Sequence, residues 1–403
     1  MSRLIRNKET KVIETREVLS EVLDFRERNT EVHEVYAKEC TFHGIPFVLT
    51  TLPGQMNIFD SSVNEIRENL DIPEEISDDA ISDCMKENGV VLRFPIGDRF
   101  AGVPVCNIAM GAVGDRINLR GRGLYAVEET KVFEPYTPEE KAAIANMGLQ
   151  HNKGKMTILI QDETVITTRS SEYRYLPTKG VIEGFEEVLQ EEGFSFEFTG
   201  GTLDRQLMIA DYEIQGGNTI NLARKLQGFG FDCGEVAVKA KIVTSDCGES
   251  AVRIYIMLEF DGSRQIFNSE TASLIHNKGA TVEKFKSRTI PSAISLISQT
   301  EKRVLNLASI QIEHAGGCLR NIAAKLHLPK EAALQVGEDM DDMYPTGCTA
   351  LDVYCNLYEI IQVKQRQQGE NFTPSQLLAF NEKVSKALLM DFAMSDVLFE
   401  WKD

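Results

Sequence analysis

The chain has 403 residues, 42% of them hydrophobic and 26% charged, which is enough apolar material for two domains or one elaborated domain. Its formal net charge of -18 excludes a uniformly basic nucleic-acid coat but leaves room for a local basic strip. No uncharged apolar run is long enough to cross a bilayer, and Met1 to Lys8 form no secretory apolar region, so the expectation is a cytoplasmic protein with no membrane contact.

From Glu14 to Arg28, Val18, Leu19, Val22, Leu23 and Phe25 recur at helical spacing among charges and predict an exposed amphipathic helix. Extended runs Glu34 to Thr41 and Ile45 to Thr51 flank His43-Gly44 and predict a hairpin. Asp60 to Asn88 is strongly acidic and reads as a solvated helix face or loop. Val103 to Leu119 predicts a buried helix ending among Arg116, Arg120 and Arg122. Thr137-Pro138-Glu139-Glu140 supplies an N-cap, a proline at the first helical position and a glutamate at the third, for a helix stopping at Gly148.

The centre of the chain carries the densest signals. Met156 to Ile160 and Thr164 to Thr168 are β-branched runs separated by Gln161-Asp162-Glu163, a hairpin. Val181, Ile182, Phe185, Val188 and Leu189 mark an amphipathic helix, with Thr178 placed at its N-cap and Gly193 at its end. Phe194, Phe196 and Phe198 alternate with polar residues, and further strands are predicted near Gln206 to Ile214, Glu235 to Val243 and Ser250 to Phe260. Strands around one long helix make an α+β fold with a mostly antiparallel central sheet.

Beyond Pro291 the pattern turns helical. Ile294 to Ile312 and Leu319 to Leu328 predict two helices, and Glu338 to Asp342 an acidic loop. Thr349-Ala350-Leu351-Asp352 is a capping box for a helix apolar on nearly every side, and Thr373-Pro374 starts a last helix. The chain therefore divides softly into an N-terminal α/β region (1–150), a β-rich core (151–290) and a helical region (291–403), with no low-complexity linker between them.

Three short motifs resemble those of the uncharacterised phage/plasmid-like proteins classed as domain of unknown function 932. They are Ser170-Ser171-Glu172-Tyr173-Arg174-Tyr175 after the hairpin, Asn268-Ser269-Glu270 after a strand, and Thr349-Ala350-Leu351-Asp352-Val353-Tyr354 at a helix start. The resemblance spans roughly Val105 to Leu389 and departs where Leu351 replaces a tryptophan and where His276-Asn277-Lys278-Gly279 replaces a Cys-x-Asn-Gly turn. It implies a mobile-element origin and no catalytic residue.

Enzyme signatures are missing: the sequence holds no P-loop, no His-Glu-x-x-His and no Gly-x-Ser-x-Gly, and no cofactor is expected. The eight scattered cysteines, from Cys40 to Cys355, form no Cys-x-x-Cys pair and read as reduced and buried. His314 and Cys318, four apart, lack the second pair a metal site needs. His151-Asn152-Lys153-Gly154 recurs at 276–279, read as repeated turn chemistry.

Cations mix with rings in three places: Arg116, Arg120 and Arg122 with Tyr125; Arg169 and Arg174 with Tyr173 and Tyr175; Lys284, Lys286 and Arg288 with Phe285. Cations neutralise phosphates and rings stack on unpaired bases, so the first reading is a non-enzymatic single-stranded nucleic-acid binding or annealing protein, acting as a homo-oligomer. The second is an acidic factor that docks on a host or phage protein. The third is an enzyme whose site is assembled from distant loops.

Overall fold

The computed structural model describes residues 9–45, 58–117, 124, 135–215, 219–231, 233–262, 264–369, 372 and 374–398. Arg120, Arg122 and Tyr125 lie outside them, as do the extended run expected after Ile45 and the Thr373 cap.

Strand β1 (Lys11–Ile13) leads into helix α1 (Arg16–Arg28), which Thr15 caps through its hydroxyl and which buries Leu19, Val22 and Leu23. His43 and Gly44, expected in a hairpin turn, lie within a strand, and the second arm expected at 46–51 falls outside the described residues. Strand β2 (Thr30–Tyr36) instead pairs far along the chain with β6 (Lys155–Gln161), whose hairpin partner is β7 (Thr164–Ser170). Strand β3 (Thr41–Gly44) pairs with β4 (Val90–Ile96), and β4 with β5 (Arg99–Pro104). The apolar strands β4 and β6 offer Val35 and Phe42 a buried face that a local hairpin lacks.

The acidic stretch between β3 and β4 folds as α2 (Ile58–Asn69) and α3 (Asp78–Glu87), joined by an Arg67–Asp78 ion pair. The helix expected from Val103 begins only after Cys106, as α4 (Asn107–Arg116), because Val103 and Pro104 belong to β5 and the Val105 amide bonds the Val90 carbonyl. Helix α5 (Pro138–Gln150) has the full capping box. It runs through Gly148, where an added Cβ would sit 2.3 Å from the Ile117 side chain, so this glycine permits close packing instead of ending the helix.

Helix α6 (Thr178–Glu191) precedes strands β8 (Ser195–Leu203) and β9 (Met208–Gln215), helix α7 (Thr219–Gly228), and strands β10 (Val236–Thr244), β11 (Val252–Phe260), β12 (Arg264–Phe267) and β13 (Ala272–Leu274). These strands form an antiparallel sheet in the order β1-β8-β9-β10-β11-β12, with β13 also on β11. Thr178 is the first helical residue, not the cap, and its hydroxyl is used elsewhere.

A short α8 (Val282–Lys284) and a π-helical turn, Phe285–Thr289, feed α9 (Ile290–Ala308). Ile312 leaves that helix to join β14 (Gln311–Ile312), which pairs with β15 (Cys348–Thr349). Between them lie α10 (Ala315–Lys325) and α11 (Lys330–Met343). The acidic run 338–342 forms the last turns of α11, since Ala332, Ala333, Val336, Gly337 and Met340 give it a continuous buried stripe. Helix α12 (Ala350–Gln368) starts at the predicted capping box and is buried on most sides, and α13 (Pro374–Ser385) follows.

The architecture is α+β with antiparallel sheets, as the sequence indicates. Two apolar clusters underlie it. One joins the large sheet to α1, α6 and the C-terminal helices, and the other joins the two three-stranded sheets to α4 and α5. Neither follows the divisions near 150 and 290, because β6 and β7 pack with N-terminal elements and Ile13 packs with the large sheet. No helix among the described residues is long and apolar enough to cross a membrane.

Candidate nucleic-acid interface

The end of the β2–β6–β7 sheet carries Tyr36, Lys155 and Arg169, with Lys38 and Arg116 beside them. Tyr36 closes β2 directly opposite Lys155, the first residue of β6. Its ring is 44% exposed, with Lys155 Nζ 5.4 Å and Lys38 Nζ 5.8 Å from the centroid. Lys38, Lys153 and Lys155 are exposed, and no carboxylate among the described residues pairs with them. Arg116, at the end of α4, donates through Nη2 to the Lys155 carbonyl at 3.5 Å; burial pushes its pKa down, and its Nε is buried without a partner.

The second cluster lies at the same sheet end, because Met156 pairs with Ser170 at the close of β7. Arg169 donates to the Cys247 carbonyl at 2.8 Å and to Glu249 at 2.6 Å, and Arg174 reaches Glu34 at 3.4 Å. Tyr173 is buried, its hydroxyl donating to the Asp246 carbonyl at 2.8 Å, and Tyr175 packs half-buried against the smaller core. Burial raises both phenol pKa values above the ordinary range. Neither ring is therefore presented to a base.

The third cluster adjoins the second. The Arg174 amide donates to the His276 carbonyl, Lys278 lies 3.7 Å from Glu172, and Lys284 donates to the Gly279 carbonyl at 3.4 Å. Lys286 is paired with Glu187 at 2.8 Å, Phe285 is fully buried, and Arg288 is exposed. The repeated tetrapeptides meet this region too. In each, the asparagine side chain accepts from the glycine amide two residues on, at 3.1 Å for Asn152 and 3.3 Å for Asn277.

The support beneath the 170–175 turn is a polar knot that sequence reasoning missed. The buried Asp246 carboxylate accepts from Arg26 Nη1 at 3.2 Å, Gln161 Nε2 at 3.1 Å and Thr178 Oγ1 at 2.6 Å. Gly248, at φ +75°, passes so near Tyr173 that a Cβ would lie 2.7 Å from its ring. The residues that bind Asp246 are single polar positions in α1, β6 and α6, and no local pattern marks them as partners. Tyr36, Lys38 and Lys155 were missed as well; Tyr36-Ala37-Lys38 and Lys153-Gly154-Lys155 are the only local signals for them.

His276 stacks on Tyr173 at 5.4 Å, its Nδ1 bonded to the Arg174 carbonyl and its Nε2 buried without a partner. Burial holds its pKa below the ordinary 6.5, and Arg169 lowers it further, against the raising effects of the Arg174 carbonyl and Asp246. The neutral ring is thus the folded form. Its stabilisation is complete above 6.5 and lost as pH falls through the lower folded value. The urea midpoint should fall as pH drops below 6.5, and His276→Asn should show a shallower fall over the same range. Equal slopes would refute this.

No group of three or more His, Cys, Asp or Glu among the described residues is placed to hold a metal ion. The His314 amide instead caps onto Asp396, and Cys318 is buried against the Phe392 carbonyl. All eight cysteines are buried, with burial pushing the Cys40, Cys84, Cys247, Cys318, Cys348 and Cys355 thiols up to about 12. Together the fold and this sheet end define an α+β protein with an open, lysine-flanked aromatic surface. No protein family, curated protein or solved structure matches the chain.

Proposed function

We propose that this is a non-enzymatic protein of phage or plasmid origin that binds single-stranded nucleic acid at the Tyr36 surface. One observation carries the reading: an exposed tyrosine ring has two lysines beside it that pair with no carboxylate among the described residues. A base stacks on the ring while Lys38 and Lys155 meet the flanking phosphates, and Arg116, Lys153 and Arg288 add positive field. Arg169, Arg174 and Lys286, already paired with carboxylates, shape the surface and contribute less charge. The mobile-element origin rests on the resemblance of Ser170–Tyr175, Asn268–Glu270 and Thr349–Tyr354 to the phage/plasmid-like family.

Fluorescence anisotropy with a labelled single-stranded oligonucleotide tests it. Binding should weaken with salt, Tyr36→Ala should cost about 1–3 kcal/mol, and Lys38→Ala with Lys155→Ala should flatten the log–log salt slope by about 1.4. The proposal fails if no salt-sensitive binding appears at micromolar protein.

A second reading, a docking factor for a basic host or phage protein, is favoured by the groove between α11 and α12. There Asp339, Asp342 and Glu359, none paired with a cation among the described residues, stand beside Val336 and Val363, with Arg366 also on the wall. Pull-down with the wild type and an Asp339→Lys/Asp342→Lys variant tests it; no partner lost in the variant counts against it.

A further inference from the structure

A cavity of about 280 Å³ lies between the β8–β9–β10 face of the large sheet and the helices α12 and α13. Ile209, Leu377, Leu378 and Phe372 give it apolar walls. Its charged lining residues, Asp211 and Lys241, are cross-strand neighbours bonded to each other, so they neutralise one another. A charged ligand would have to break that pair, and the wall therefore selects an uncharged molecule.

Asn381 supplies the specific feature. Its side chain lines the cavity and the residue is only 6% exposed, yet its amide makes no hydrogen bond to any described residue. The residue is largely enclosed while its amide stays reachable from the cavity, so the amide is free to pair with a molecule inside it. A carboxamide offers an acceptor and a donor side by side, and it is matched by a flat group with an adjacent donor and acceptor on one edge, joined by two parallel hydrogen bonds. Gln365, exposed at the same cavity, adds a second amide there. Apolar walls, a neutralised ion pair, a carboxamide that pairs with an adjacent donor and acceptor, and this volume together fit a nucleobase.

We propose that this cavity binds a single nucleobase or nucleoside through Asn381. The site is separate from the Tyr36 surface and does not depend on it.

Isothermal titration of the full chain with adenosine, guanosine, cytidine and uridine, each to millimolar concentration, tests the proposal. One of them should bind saturably at one per chain, its monophosphate no more tightly, and Asn381→Leu should weaken it at least tenfold. Leu377→Trp, which fills the cavity from its partly exposed wall, should do the same and serves if Asn381→Leu does not fold. Tyr36→Ala should leave nucleoside binding unchanged while weakening oligonucleotide binding, which separates the two sites. The proposal is overturned if no nucleoside binds saturably, if the monophosphate binds more than tenfold tighter, or if the folded variants bind as the wild type does.

Discussion

Asp246→Ala is expected to lower the free energy of unfolding by about 3–5 kcal/mol, because it leaves a buried guanidinium without its counter-ion. The Arg26 and Asp246 side chains are 7% and 1% exposed, so water screens neither charge. Arg26 keeps one bond, to the Asp204 carbonyl at 3.0 Å, but its Nε already lacks a partner. Thr178 would lose its acceptor at the same time, and Gln161 Nε2 would keep only Thr30 Oγ1, at 3.0 Å. Arg26→Met combined with Asp246→Leu removes both charges and should recover much of the loss, since desolvation and pairing then vanish together. Urea unfolding of the single and double variants measures the difference; a loss below about 1 kcal/mol for Asp246→Ala would show that the knot is not a structural centre.

The knot also explains which parts of the molecule could be read from sequence. Capping boxes at Thr137 and Thr349, the alternation of β10 and the apolar stripe of α6 depend on neighbours within a few residues, and the structure has them where the pattern puts them. The partner of β2 depends on a strand that follows more than a hundred residues later, so the sequence suggested a local hairpin instead. The acidic run at 338–342 looked like a loop by charge, although the buried face of α11 continues through Met340.

The candidate site follows the same division. The cations near 116, 169–174 and 284–288 were legible as residue types, and the described ones do come to adjoining segments. Their neutralising partners Glu249, Glu34 and Glu187 come from other elements and carry no local signal. Tyr36 was legible only as one residue of an extended run. Its exposure follows from its place at the end of a strand whose opposite face is filled by Val35 and Met156.

Tyr354→Ala should cost about 3–5 kcal/mol, the usual range for deleting a large aromatic from a packed core. Tyr354 is fully buried in α12, in edge contact with Tyr358 at 5.8 Å, where that helix meets α9, α10, α11 and α13. Its hydroxyl donates to the Phe267 carbonyl at 3.3 Å and lies 3.3 Å from the Tyr358 hydroxyl, so Tyr354→Phe should cost only about 1 kcal/mol. The two variants thus separate ring packing from the hydrogen bond. Burial raises the Tyr354 pKa well above the ordinary 10.0, which makes the neutral phenol the folded form. Its stabilisation is complete below 10.0 and is lost as pH rises beyond it, so Tyr354→Phe should lose less stability than the wild type on passing above pH 10. If both variants unfold at the wild-type urea midpoint, α12 is not the element on which the C-terminal helices are packed.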